Sequence, residues 1–111
     1  MRRIEKSYNF TAKDLFNVMS AKVLGKSVGE TITVIGVALG KDVSHDTGEE
    51  VNTAYLKCDN GTIYSTISST AITAVDALVD VFADEEGAPQ KVYIDSRKSN
   101  AGRDFIVLVM V

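Results

Sequence analysis

The dipeptide Asn60-Gly61 stands between two runs that alternate apolar with polar residues, 51–58 and 62–68, and it constrains the chain more than any other feature. Asn-Gly supplies at least cost the two positive φ angles of a type I′ turn, so the runs are expected to be antiparallel strands joined by a two-residue loop. Such a loop fixes the register. Cys58 would face Ile63, Lys57 face Tyr64, Leu56 face Ser65, Tyr55 face Thr66 and Ala54 face Ile67. One face then carries Ala54, Leu56, Cys58, Ile63 and Ile67 and belongs to a core. The other carries Thr53, Tyr55, Lys57, Thr62, Tyr64 and Thr66 and faces solvent. Behind the second strand, Ser68-Ser69-Thr70 offers hydroxyl oxygens to the N–H groups that open a helix, and Ile72, Val75, Leu78, Val79 and Phe82 follow at helical spacing.

The rest of the chain falls into place around this unit. Residues 2–10 read as an extended arm in which Tyr8 and Phe10 alternate with polar residues. Thr11 and Asp14 have the spacing of a helix start, and Leu15, Phe16, Val18, Met19 and Val23 make an apolar stripe of about three turns that Gly25 would end. Residues 31–40 are apolar on both faces, as in a central strand, and Gly36 in their middle allows the sharp bend of a small barrel. Residues 41–50 form a polar loop holding His45, which has no neighbouring nucleophile or acid-base partner and reads as a solvated residue. Two last strands follow at 91–96 and 104–111. In the first, Val92 and Ile94 point inward and Lys91, Tyr93 and Asp95 outward; in the second, Phe105, Val107 and Val109 share a face. The turn between them concentrates Arg97, Lys98 and Arg103.

With 111 residues, 45% of them hydrophobic, the chain is expected to fold as one domain with its own core. No apolar run approaches the roughly 20 residues of a membrane span, and the basic start has no apolar stretch behind it, so a soluble intracellular protein without membrane contact is expected. One cysteine, Cys58, and one histidine leave no disulfide and no cluster of soft metal ligands. No metal and no cofactor is expected. Nor does the sequence hold a carboxylate pair, a nucleophile-base set or a phosphate loop, which argues against an enzyme, a catalytic residue or a small-molecule substrate. The net charge of -3 conceals an asymmetry: residues 1–26 carry six Lys/Arg against two carboxylates, 27–90 two against eleven, and 91–111 four against two. The two basic ends could bind a polyanion if the fold brings them to one face.

The succession strand, strand, strand, helix, strand, strand, with a glycine-bent first strand, is the order of an OB-fold. The expected fold class is therefore mostly β with one or two helices: a five-stranded OB-fold-like barrel (β-β-β-α-β-β), residues 29–111, with the arm and helix of residues 1–28 packed on it in one structural unit. OB-folds bind oligonucleotides on the outer face of their second and third strands and on adjoining loops, by stacking and phosphate contacts. That points to Tyr55, Lys57 and Tyr64, with Lys91, Tyr93, Arg97, Lys98, Arg103 and Phe105 beside them.

Three stretches also carry a resemblance. Gly29-Glu30-Thr31 leading into a strand, Asp59 through Ser68 running into an alanine-rich helix, and a last hairpin of Ser, Lys, Asn and Gly before an aromatic strand resemble the small phage-encoded single-stranded-DNA-binding proteins, especially those of podoviruses that replicate by protein priming. The likeness spans roughly residues 29–111, and its most specific part is the pattern Gly61, Tyr64, Ser65, Ile67, Ser68. The tip 97–103 is more cationic than the Ser/Gly-rich tip of the family. The resemblance implies a non-enzymatic viral protein that coats and protects single-stranded DNA during DNA replication, with little sequence specificity, in the cytoplasm of the bacterial host cell. It leaves room for a homo-oligomer or a cooperative filament on the DNA. The acidic middle supports an alternative, a phage protein of similar fold that binds and inhibits a host or defence protein.

Overall fold

The computed structural model describes residues 3–43 and 47–111; His45 and Asp46 of the expected polar loop lie outside the described residues. The elements are β1 (Arg3–Tyr8), α1 (Ala12–Asn17), β2 (Lys22–Val23), β3 (Thr31–Val43), β4 (Glu50–Cys58), β5 (Ile63–Thr66), α2 (Ser69–Asp84), β6 (Gln90–Lys98) and β7 (Asp104–Met110), with 3₁₀ turns at 18–20 and 24–26.

The expected order of five strands with a helix between the third and fourth is present as β3, β4, β5, α2, β6 and β7. Among the described residues the strand count is corrected from five to seven, and the closed barrel to a curled open half-barrel. The sheet order is β2-β5-β4-β3-β6-β7, with β1 also paired to β3. The N-terminal arm became a strand because β3 is long enough to hold two partners on one edge. Its residues Thr31 to Val34 pair with β6, and Val37 to Lys41 pair with β1. Its other edge pairs with β4 from Val34 to Val43, interrupted by a bulge between Val34 and Gly36. The chain after α1 is not one long helix either. It breaks at Asn17 into a 3₁₀ turn, and β2 then pairs in parallel with β5. Leu24 behind it is wholly buried in the main core, and a Cβ on Gly25 would lie 3.8 Å from Ile106 of β7. Residues 22–26 thus fill the side on which β5 and β7 do not pair.

Helix α2 closes the concave face. Ala71, Val75, Leu78 and Phe82 are buried at its helical spacing, against Val34, Val37, Leu56, Val92 and Ile94 from the sheet. The Phe82 ring stacks on Tyr8 at 5.1 Å between centroids and 3° between planes, tying β1 to the far end of the helix. Ser68 occupies the N-cap position without a side-chain cap bond; its own N–H donates to Thr66 Oγ1 at 3.1 Å.

The β4–β5 turn differs from expectation by one residue. Cys58 N–H donates to Thr62 O at 2.9 Å and Gly61 N–H to Cys58 O at 3.0 Å, so the loop is Asp59-Asn60-Gly61. Of the three, only Gly61 has positive φ, at 88°. Asn60 accepts the Thr62 N–H at 3.0 Å instead of adopting a left-handed conformation. Lys57 consequently faces Ile63, and Leu56 faces Tyr64. A slip of one residue reverses the face of every side chain on the strand. Tyr64 turns into the core, and Ile63 turns out.

Gly36 and Gly40 admit the N-terminal segment: a Cβ on Gly36 would lie 2.5 Å from Asn9 O, and one on Gly40 would strike the backbone carbonyl of Arg3. Gly40→Ala is expected to cost about 1–3 kcal/mol through this backbone collision. Denaturant unfolding reads the loss, and hydrogen exchange should place it first in residues 3–8.

Candidate nucleic-acid interface

Residues directly paired across a sheet share a face, so the ladder around β6 defines its surfaces. Val92 and Ile94 point inward and are buried. Outward, Tyr93 lies between Thr31 and Val109, Lys91 pairs with Thr33, Asp95 with Val107, and Arg97 with Phe105. Lys91 and Arg97 are exposed, Tyr93 is 37% exposed, and Phe105 is half-buried. Arg97 Nε reaches Asp95 Oδ2 at 3.5 Å, an exposed contact that leaves the guanidinium accessible. At the tip, Ser99 N–H donates to Arg103 O at 2.8 Å and Gly102 N–H to Ser99 O at 2.9 Å. This turn sets exposed Lys98 and Arg103 at the end of the same hairpin. Lys91, Tyr93, Arg97 and Phe105 therefore share one face with Arg103 at its tip, while Lys98 pairs with Asp104 in the alternate row at the end of the hairpin. Thr31 and Thr33 join this face from β3; their contribution follows from the pairing of the first and fourth barrel strands, which local alternation does not reveal.

The other expected contact residues lie elsewhere. Tyr64 is 6% exposed and packs in the main core under α2. Tyr55 does face outward but is 3% exposed, because the N-terminal segment covers it. Phe10 stacks over its ring at 6.1 Å and 28°, and Val18, Ala38, Ile63 and Leu15 complete a second small core there. The expected open face of Tyr55, Lys57 and Tyr64 is thus corrected. The register turns Tyr64 inward, and the apolar pair Tyr55 and Ile63 draws the apolar stripe of residues 10–18 onto it.

Lys57 lies at the border of this covered patch, where its Nζ donates to Asp14 Oδ2 at 2.7 Å; both side chains are largely buried. The same carboxylate oxygen accepts the Thr11 N–H at 2.8 Å and the Thr11 hydroxyl at 3.1 Å, while Asp14 N–H donates back to Thr11 Oγ1. This is a capping box whose acid also carries an ion pair. Burial pushes the Asp14 carboxyl up, but the bonds from Lys57 and Thr11 outweigh it and hold the group below its ordinary value of 3.8. Cys58, the last residue of β4, is buried, and burial, with Asp59 second, pushes its thiol up to about 11. Such a thiol is a small apolar side chain at neutral pH.

Among the described residues no group of three or more His, Cys, Asp or Glu could hold a metal ion, and no helix is long and apolar enough to cross a membrane. A family model described as phage single-stranded DNA-binding protein, of the Phi29 type, matches residues 12–111. No curated protein and no solved structure matches the chain.

Because the folded protein holds the Asp14 proton more weakly than the unfolded chain does, this group's contribution to stability is complete above pH 3.8 and is lost as pH falls through its lower folded value. Acid titration by NMR should therefore release the Tyr55 and Phe10 ring signals below that pH. Asp14→Asn should abolish the acid-dependent part of the change.

Proposed function

Since the chain belongs to the family of phage single-stranded DNA-binding proteins, we propose that it coats and protects single-stranded DNA during phage replication in the host cytoplasm, contacting the strand on the outward face of β6 and β7. What carries this reading is the placement of Tyr93 and Phe105 on one open face with Lys91 and Arg97. Bases unstacked from one another lay their faces on the two rings, each worth about 1–3 kcal/mol, and stacking tolerates any base, so sequence matters little. Lys91, Arg97, Lys98 and Arg103 follow the phosphates. Exposed Asp76, Asp80 and Asp84 on α2 lie on the opposite side of the sheet and discourage adhesion of the strand there. No catalytic step is involved. Tyr55, Lys57 and Tyr64 serve this surface indirectly, by holding the sheet and its N-terminal cover.

Titration of a fluorescent oligonucleotide tests the reading. Tyr93→Ala should weaken binding by about 1–3 kcal/mol, or roughly five- to 150-fold, with little change in melting temperature because the ring is partly exposed. Arg97→Ala and Arg103→Ala should each flatten the slope of log affinity against log salt by about 0.7. Absence of binding by the wild type at low salt would overturn it.

A further inference from the structure

At the other end of β3 from the β6 pairing, the outer face opens into a cleft of about 300 Å³. It is lined by Val18 and Val23 of the N-terminal segment, Asp42 of β3, Thr53 and Tyr55 of β4, and Ser65, Thr66 and Ile67 at the end of β5. Thr53 is more than nine-tenths buried, and its Oγ1 is, among the described residues, the buried side-chain polar atom with no hydrogen-bond partner. Thr66 in the same cleft has its hydroxyl engaged by Ser68 N–H, so the orphan is not a general property of the region. A buried hydroxyl without a partner is unfavourable, and one retained in a cleft wall points to a partner that arrives with a ligand.

The lining states what that ligand is. Among the described residues no Lys or Arg borders the cleft, so they offer a phosphate no cation there. Val23 and Ile67 are 52% and 69% exposed at the rim, which suits a flat apolar surface. The hydroxyls of Thr53 and Ser65 supply both donors and acceptors to a polar edge. We propose that the cleft takes one unstacked nucleobase of the bound strand, its faces against Val18, Val23 and Ile67 and its edge hydrogen-bonded to Thr53. This rests on the reading of the chain as a single-stranded DNA binder, and it adds a base site separate from the rings of β6 and β7.

The isosteric substitution Thr53→Val removes the hydroxyl and keeps the shape. Titrated with the same fluorescent oligonucleotide as wild type, the variant should bind about three- to tenfold more weakly, the span of one hydrogen bond. It should melt at the same or a higher temperature, because an unsatisfied group has been removed. Against a strand of the same length made of abasic sites, variant and wild type should bind alike. Equal affinity for the normal strand overturns the base site and leaves the function intact, as does a loss of equal size on the abasic strand. A fall in melting temperature overturns it too, by showing that the hydroxyl is already satisfied in the free protein. Failure of wild type to bind any strand overturns the functional reading itself.

Discussion

The three-residue turn at Asp59-Asn60-Gly61 decides which faces of this protein are open. With Gly61 at φ 88° closing the loop, Leu56 stands opposite Tyr64 and Lys57 opposite Ile63. Tyr64 then fills the concave core below α2, and Ile63 and Tyr55 form an apolar patch on the convex side. Such a patch in water is unfavourable and needs a cover. Phe10, Leu15 and Val18 provide it, and Lys57, left at its border, finds Asp14. A two-residue loop would have sent Tyr64 outward and taken Ile63 out of the patch on which the N-terminal segment packs.

The long strand β3 makes this cover possible without disturbing the rest of the sheet. Its bulge after Val34 separates the part of the strand that pairs with β6 from the part that pairs with β1, and Gly36 and Gly40 keep the surface low where residues 3 and 9 cross. The stack of Tyr8 on Phe82 then fixes β1 to the helix from the concave side. Beyond α1 the chain reaches past β5, and Leu24 plugs the side where a closed barrel would join β5 to β7. What remains uncovered on the convex face includes the part built from β6, β7 and the first residues of β3, and the cleft beside Thr53 at the other end of β3.

Much of this was legible in the sequence, and for physical reasons. Alternation in 91–96 places Val92 and Ile94 in the core and Tyr93 outside, since a half-buried strand has only two faces. The Thr11 and Asp14 spacing gives the capping box, and the Gly61, Tyr64, Ser65, Ile67, Ser68 pattern leads to the family that the chain belongs to. Asn60-Gly61 marks a turn but not its length. Asn60 can take positive φ or, as here, keep a negative φ and accept the Thr62 N–H, and the two outcomes differ by the one residue that reverses β5. The helix expected to run to Val23 was illegible for another reason. Pairing of β2 with β5 joins residues about forty apart, and the apolar spacing of 15–23 serves a 3₁₀ turn and a strand as well as it would a helix.

The covered tyrosine bears on how a strand of DNA is held. Uncovering Tyr55 to stack one base would yield about 1–3 kcal/mol. It would also return Phe10, Leu15, Val18 and Ile63 to water, each buried apolar side chain being worth about 1.5–3 kcal/mol when fully buried. Even with partial burial discounted, several such side chains outweigh one stacked base, and the Asp14 bonds to Lys57 and Thr11 would be lost as well. Phosphate could replace Asp14 on Lys57, but it cannot replace the cover. On the proposed reading the N-terminal segment therefore stays in place when DNA binds, and the strand runs over Tyr93 and Phe105, where rings are offered without unfolding anything.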